Sequence, residues 1–144
     1  MFLNEKERAE TIWACRFCMM CHCADRVGQV VRRESYTPRG RGAIIFALDE
    51  GLLDYDEGVA DIMYTSLNDR MIQHWCVGNY DHEELVIDAR ARIFEQGLAP
   101  EGVTAYSKNL RTNPVQGGDP AKILTDAGVT LDSDSDTLLF CGRA

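Results

Sequence analysis

Four of the six cysteines in this chain fall inside one nine-residue run, Cys15-Arg16-Phe17-Cys18-Met19-Met20-Cys21-His22-Cys23, and Cys15, Cys18 and Cys21 keep a C-x2-C-x2-C spacing. No other feature restricts the fold as much. The spacing lets three thiolates converge on one face of a cubic iron–sulfur cluster, with intervening backbone N–H groups near its sulfides. A fourth thiolate has to come from elsewhere, because the fourth iron is otherwise left open. Cys23 stands only two residues after Cys21, which makes a common cubane difficult without distorting the loop. Cys76 is a lone downstream cysteine, and Cys141, in an apolar stretch, reads as a core thiol.

Six cysteines could instead form three disulfides in a secreted protein. The crowded run suits a metal better, and the N-terminus, Met1-Phe2-Leu3-Asn4-Glu5-Lys6-Glu7, turns charged at once, unlike a secretory signal. The expectation is a cytoplasmic chain with reduced thiols, associated with a membrane only through partners. No apolar run approaches the ~20 residues of a membrane span. The net charge of −8 argues against nucleic acid as the main partner. The charge is uneven. Arg26, Arg32, Arg33, Arg39 and Arg41 make a basic stretch, followed by an acidic one from Asp49 to Asp61. They read as two solvated faces; the sharper alternative sets the arginines against an anionic cluster or an acidic partner.

The pattern along the chain is mainly helical. Asn4, with Glu5 and Glu7, caps a helix carrying Ala9, Ile12, Trp13 and Phe17, the last two read as core, into the cysteine run. After a connector over 24–36, Thr37-Pro38 opens a helix to about Leu48 that Gly51 stops. Gly40 and Gly42 are either tolerated in it or let backbone approach closely. Residues 56–76 read as one or two helices, with Val59, Ile62 and Met63 on one side and Leu67, Met71 and Trp75 continuing the pattern. Asp81 and Glu84 cap a helix with Leu85, Ala89 and Ile93 on one face, stopped by Gly97. Residues 101–111 read as helical, and Asp119-Pro120 opens a short helix that Gly128 closes. Val129–Leu131 and Thr137–Cys141 read as strands; the second needs partner strands from another chain or further sequence.

Cys15–Cys23, Glu34–Arg41 and Cys76-Val77-Gly78-Asn79-Tyr80-Asp81-His82 together resemble the α-helical, two-cluster ferredoxin domain of the heterodisulfide-reductase family. The iron–sulfur subunits of glycolate oxidase and of anaerobic glycerol-3-phosphate dehydrogenase share that domain. The resemblance covers about residues 10–96. It implies a mainly α fold: an α-helical ferredoxin-like domain over 1–98, and a C-terminal extension or docking segment over 99–144. The tail Asp136–Gly142 resembles the opening strand of a cysteine-rich reductase domain.

The family carries two C-x2-C-x2-C-x3-C-P runs, and the fourth cysteine of each ligates the other run's cluster. Here Asp25 stands where the first run's fourth cysteine belongs. With Cys76 aligned as the second run's fourth cysteine, Ser66, Asp69 and Ile72 stand for the other three, and Val77 replaces the proline. The resemblance therefore implies one [4Fe–4S] cluster, on Cys15, Cys18, Cys21 and Cys76, with Cys23 as the alternative fourth ligand. The other ligand set is erased.

Around these, Met19 and Met20 read as a shield, His22 as a hydrogen-bond donor to a cluster sulfur, and Asp25 as a cap or salt-bridge residue. His74 and His82 read as satisfied surface or core residues. No Ser/His/Asp set, phosphate-cradling glycine loop or recognisably paired carboxylates appear. No catalytic residue is assigned. The expected role is an electron-transfer subunit in a hetero-oligomer. The resemblance implies a flavin-containing dehydrogenase subunit, a cysteine-rich reductase-type subunit, or both as partners. The alternative is a non-catalytic assembly module whose thiolates bind zinc or a folding-only cluster. A third reading is a redox-sensing thiol pair, Cys21 and Cys23.

Overall fold

A computed structural model of the chain describes residues 3–112 and 119–130. Eight α-helices occupy them, with no strand among the described residues. They are α1 (Glu5–Ala14), α2 (Arg26–Val31), α3 (Pro38–Asp49), α4 (Glu57–Tyr64), α5 (Met71–Trp75), α6 (His82–Glu95), α7 (Glu101–Thr112) and α8 (Pro120–Asp126). Short 3-10 turns span Met20–Cys23 and Glu34–Tyr36. The chain divides into two units, Met1–Pro100 and Glu101–Ala144. None of the described helices is long and apolar enough to cross a membrane.

The first unit is built around α6. Leu85, Val86, Ala89 and Ile93 are fully buried and meet Ile12 of α1, Ile45 of α3, and Val59, Ala60 and Met63 of α4. Each fully buried Leu, Ile or Val contributes about 1.5–3 kcal/mol, so this helix is the main apolar support of the unit. Its start is local chemistry: the Asp81 carboxylate accepts the Glu84 N–H at 3.2 Å.

The entry to α1 follows the same logic. Asn4 Oδ1 accepts the Glu7 N–H at 2.9 Å, and Glu7 Oε2 accepts the Asn4 N–H at 3.2 Å, a reciprocal capping box. The buried stripe of α1 runs through Arg8 and Ile12, four residues apart. Trp13 lies about 100° further round the helix and is exposed, as is Phe17. Neither is core, contrary to the sequence expectation. Both instead set their edges against Phe46, with ring centroids 5.5 and 6.0 Å away.

Thr37 Oγ1 accepts the Gly40 N–H at 3.1 Å and starts α3 with Pro38 as its first residue. The tolerance-or-approach question at Gly40 has a geometric answer. A Cβ there would lie 1.9 Å from the Glu34 carbonyl oxygen, which is backbone and has no side chain to turn aside. Gly40→Ala is expected to force the Glu34–Tyr36 turn away from α3 and cost about 1–3 kcal/mol. Urea unfolding checks this, and a loss below the usual ±0.5 kcal/mol of a surface change would contradict it.

Residues 56–76 form two helices. The chain leaves α4 at Thr65 and re-enters at Met71, passing through left-handed backbone at Asn68 (φ 52) and Arg70 (φ 57). The break resets the helical phase. Leu67, Met71 and Trp75 are therefore exposed rather than a continuation of the α4 stripe, and Ile72 is buried instead. Arg41 and Arg90 close the gap from inside. Arg41 Nε donates to the Ile62 carbonyl at 3.0 Å and Arg90 Nη2 to the Ser66 carbonyl at 2.6 Å.

In the second unit, α7 and α8 appear where the sequence places helices. The Asp119 carboxylate accepts the Ala121 N–H at 3.0 Å to start α8. Val129 is not in a strand, because its N–H closes the end of α8 on the Leu124 carbonyl at 2.9 Å, and Thr130 is in no regular element. Leu131 and the strand expected over Thr137–Cys141 lie outside the described residues, as does Cys141 itself.

Candidate metal-cluster site

Cys15, Cys18, Cys21 and Cys76 line one cavity in the first unit. Cys15 follows the last residue of α1, Cys21 lies in the 3-10 turn, and Cys76 is the residue at which α5 ends. The return of Cys76 depends on a close backbone crossing. A Cβ on Gly78 would lie 2.5 Å from the Ala14 carbonyl oxygen and 3.8 Å from Cys76 Sγ. The turn after α5 thus lies against the end of α1, beside Cys15. Cys23 is elsewhere: it is exposed and donates its S–H to the Met20 carbonyl at 3.1 Å.

The backbone turns donors toward sulfur. Phe17 holds a left-handed φ of 49° and its N–H reaches Cys15 Sγ at 3.4 Å. For a non-glycine residue that conformation costs roughly 1–2 kcal/mol. The Arg39 backbone N–H, in the first turn of α3, favours the Cys21 thiolate. Burial acts the other way and dominates: it raises the Cys15 thiol, and pushes Cys21 from 9.0 up to about 11. Neighbouring thiolates add to both shifts, since Cys15 feels Cys76 and Cys18, and Cys21 feels Cys15 and Cys18. Cys15 and Cys21 therefore keep their protons unless a positive group stands beside them, which is the condition a bound cluster or metal meets.

This has a pH consequence for the metal-free chain. The folded state holds the Cys15 and Cys21 protons more tightly than the unfolded state, so their contribution is complete below the ordinary thiol value and is lost as pH rises through the raised one. The melting temperature of the metal-free chain is expected to fall between about pH 9 and about pH 11. A Cys15→Ser, Cys21→Ser double variant is expected to lose most of that slope. An unchanged slope in calorimetric melts would refute the assignment.

The rest of the wall is apolar or cationic. Ile72 backs the cavity from the core, and Arg16 and Arg39 border it. Met20 and Val77 line it while remaining 53 and 76 % exposed, so on that side it lies under a thin wall. The cavity itself is about 10 Å³, and these two side chains are not part of the core. Among the described residues no three His, Cys, Asp or Glu side chains are arranged to hold a single metal ion. A zinc ion needs all its sulfurs at about 2.3 Å; in a cluster each thiolate binds a different iron and the sulfurs stay further apart.

Other expected residues are distributed as follows. Met20 lines the cavity and Met19 is exposed outside it. His22 lies outside the wall, with Nε2 3.5 Å from Glu34 Oε1. His74 is exposed. His82 is buried in the core, with Glu83 Oε1 3.7 Å from its Nδ1 at ion-pair distance and no closer hydrogen-bond partner for either ring nitrogen among the described residues. Asp25 caps α2 through the Gly28 N–H at 2.7 Å and faces buried Arg41 at 3.9 Å, both cap and salt bridge. The basic stretch divides: Arg39 borders the thiols, Arg41 is buried, and Arg26, Arg32 and Arg33 are exposed. Tyr80, to which the sequence reading of the Cys76–His82 stretch assigned no role, lines the cavity and is buried.

A helical unit with four cysteine thiols on one half-buried cavity defines a thiol-rich site built from one loop and one distant return. Comparison with protein-family models, with curated proteins and with solved structures gives no match.

Proposed function

We propose that this chain is an electron-transfer iron–sulfur component of a multi-subunit oxidoreductase, with one [4Fe–4S] cluster on Cys15, Cys18, Cys21 and Cys76. One observation carries the reading: the lone downstream Cys76 lines the same cavity as the three loop cysteines, while nearby Cys23 does not. A bound cluster supplies one-electron redox chemistry. The chain's own groups do the rest. The Phe17 and Arg39 N–H groups favour anionic sulfur, Arg16 and Arg39 offset negative charge, and Ile72 and Tyr80 keep water from the inner wall. Met20 and Val77 leave only a thin barrier toward solvent, which suits electron exchange with a docked partner. The resemblance to the ferredoxin domain of the heterodisulfide-reductase family supplies the partner classes, a flavin-containing dehydrogenase upstream and a cysteine-rich reductase-type protein downstream.

Anaerobic reconstitution with iron and sulfide tests the reading. The expected product is brown, holds roughly four irons and four acid-labile sulfides per chain, and bleaches with dithionite as a reduced-cluster paramagnetic resonance signal appears. A colourless chain with one zinc and no labile sulfide would make it an assembly module instead.

A further inference from the structure

Tyr80 is 2 % exposed and its hydroxyl has no hydrogen-bond partner among the described residues. A buried hydroxyl left without a partner costs about 1–3 kcal/mol, so a native structure normally gives it one. Its ring leans against His82, centroids 5.9 Å apart, but the oxygen points elsewhere. A Cβ built on Gly42 of α3 would sit 3.0 Å from Tyr80 Oη and 3.7 Å from Cys15 Sγ. One small patch of helix is therefore flanked by the hydroxyl and by a thiol, and Tyr80 lines the cavity that the four cysteines share. A phenol is ordinarily protonated at neutral pH and can donate its O–H. The Cys15 sulfur lies on the side of Gly42 to which the hydroxyl points; the other unpartnered buried acceptors nearby are the His82 ring nitrogens and Glu83 Oε2.

We infer that Tyr80 is a positioning residue of the site: its hydroxyl donates a hydrogen bond to sulfur in the cysteine cavity, a ligand thiolate or an inorganic sulfide, and so raises the reduction potential of the bound cluster. The inference rests on the cluster reading above. Reduction adds negative charge to the sulfurs, and a donor there stabilises the reduced state more than the oxidised one. The bond involves no proton transfer; the proton remains on the phenol.

The test uses the full chain, reconstituted anaerobically, with midpoint potentials from paramagnetic-resonance-monitored titrations. Tyr80→Phe keeps the ring and removes the donor. It is expected to load normally and to become about tenfold harder to reduce, ~59 mV lower for one electron. A difluorinated tyrosine at position 80, a more acidic and stronger donor of nearly the same shape, is expected to shift the potential upward. Opposite shifts distinguish a hydrogen bond from packing, since a packing role moves both variants alike. If Tyr80→Phe fails to load, the fluorinated chain decides alone: an unchanged or lowered potential overturns the inference. If the unmodified chain takes up no iron and sulfide, the cluster reading itself fails and Tyr80 falls with it. If both chains load and share one potential, only the role of Tyr80 is refuted.

Discussion

Cys76→Ala is expected to abolish binding of an intact cubane, whereas Cys23→Ala is expected to leave it in place. The difference follows from position. Cys76 lines the cavity with Cys15, Cys18 and Cys21, while the Cys23 thiol is exposed and engaged with the Met20 carbonyl. On the proposed ligand set, loss of Cys76 would leave one iron without a thiolate, so the expected product is an iron-depleted cluster or none. Iron and labile-sulfide content of the two reconstituted variants, with paramagnetic resonance of the oxidised and reduced samples, measures this. Full iron content and unchanged spectra in Cys76→Ala would remove the residue from the ligand set, and loss of the cluster in Cys23→Ala would put that residue in its place.

The second large effect is structural. Arg8 and Asp88 are 3 and 2 % exposed and form a buried ion pair between α1 and α6. The rest of their hydrogen bonding is well supplied. Arg8 Nε donates to Asp49 Oδ1 at 2.7 Å, and Asp88 accepts from the Leu3 N–H at 3.1 Å and from Arg92 Nε at 2.9 Å. Removing one partner leaves a charge in the interior with part of its support gone, which typically costs about 3–5 kcal/mol. Asp88→Ala is therefore expected to lose about 3–5 kcal/mol in urea unfolding, a large share of the roughly 5–15 kcal/mol that holds a domain together. The double variant Arg8→Met, Asp88→Leu removes both charges and is expected to recover a substantial part of the loss. A single variant within about 1 kcal/mol of the parent would mean that the pair is solvated in solution. Because α1 delivers Cys15 and α6 starts two residues after Tyr80, the same variant is also expected to weaken retention of the cluster.

Asp25, Ser66, Asp69 and Ile72, read in the sequence as standing in place of ligand cysteines, make other contacts in the structure. Asp25 faces Arg41, which reaches the Ile62 carbonyl and the Thr65 hydroxyl, and the Ser66 carbonyl is held by Arg90. Asp69 starts α5 by accepting the Met71 N–H at 3.1 Å. Ile72 turns inward and lines the thiol cavity. Two arginines and a carboxylate thus connect these segments.

Local chemistry was legible in the sequence. The Asn4 cap, the Thr37-Pro38 start, the Asp81 cap and the apolar face of α6 depend on residues at most a few positions apart, so a reading along the chain finds them. The same holds for the C-x2-C-x2-C loop, whose short spacing places Cys15, Cys18 and Cys21 along one cavity. The burial of Trp13, Phe17, Leu67, Met71 and Trp75 was misjudged, because apolar character does not reveal where a helix breaks or which neighbour covers it. Only the tertiary structure decided that Cys76 returns to the loop while Cys23 stays outside, that Arg8 and Asp88 meet in the interior, and that the Tyr80 hydroxyl is buried beside thiols. Those contacts join residues tens of positions apart. They arise from how α1, α3 and α6 pack, and the energy of that packing is shared among side chains that carry no mark of their partners.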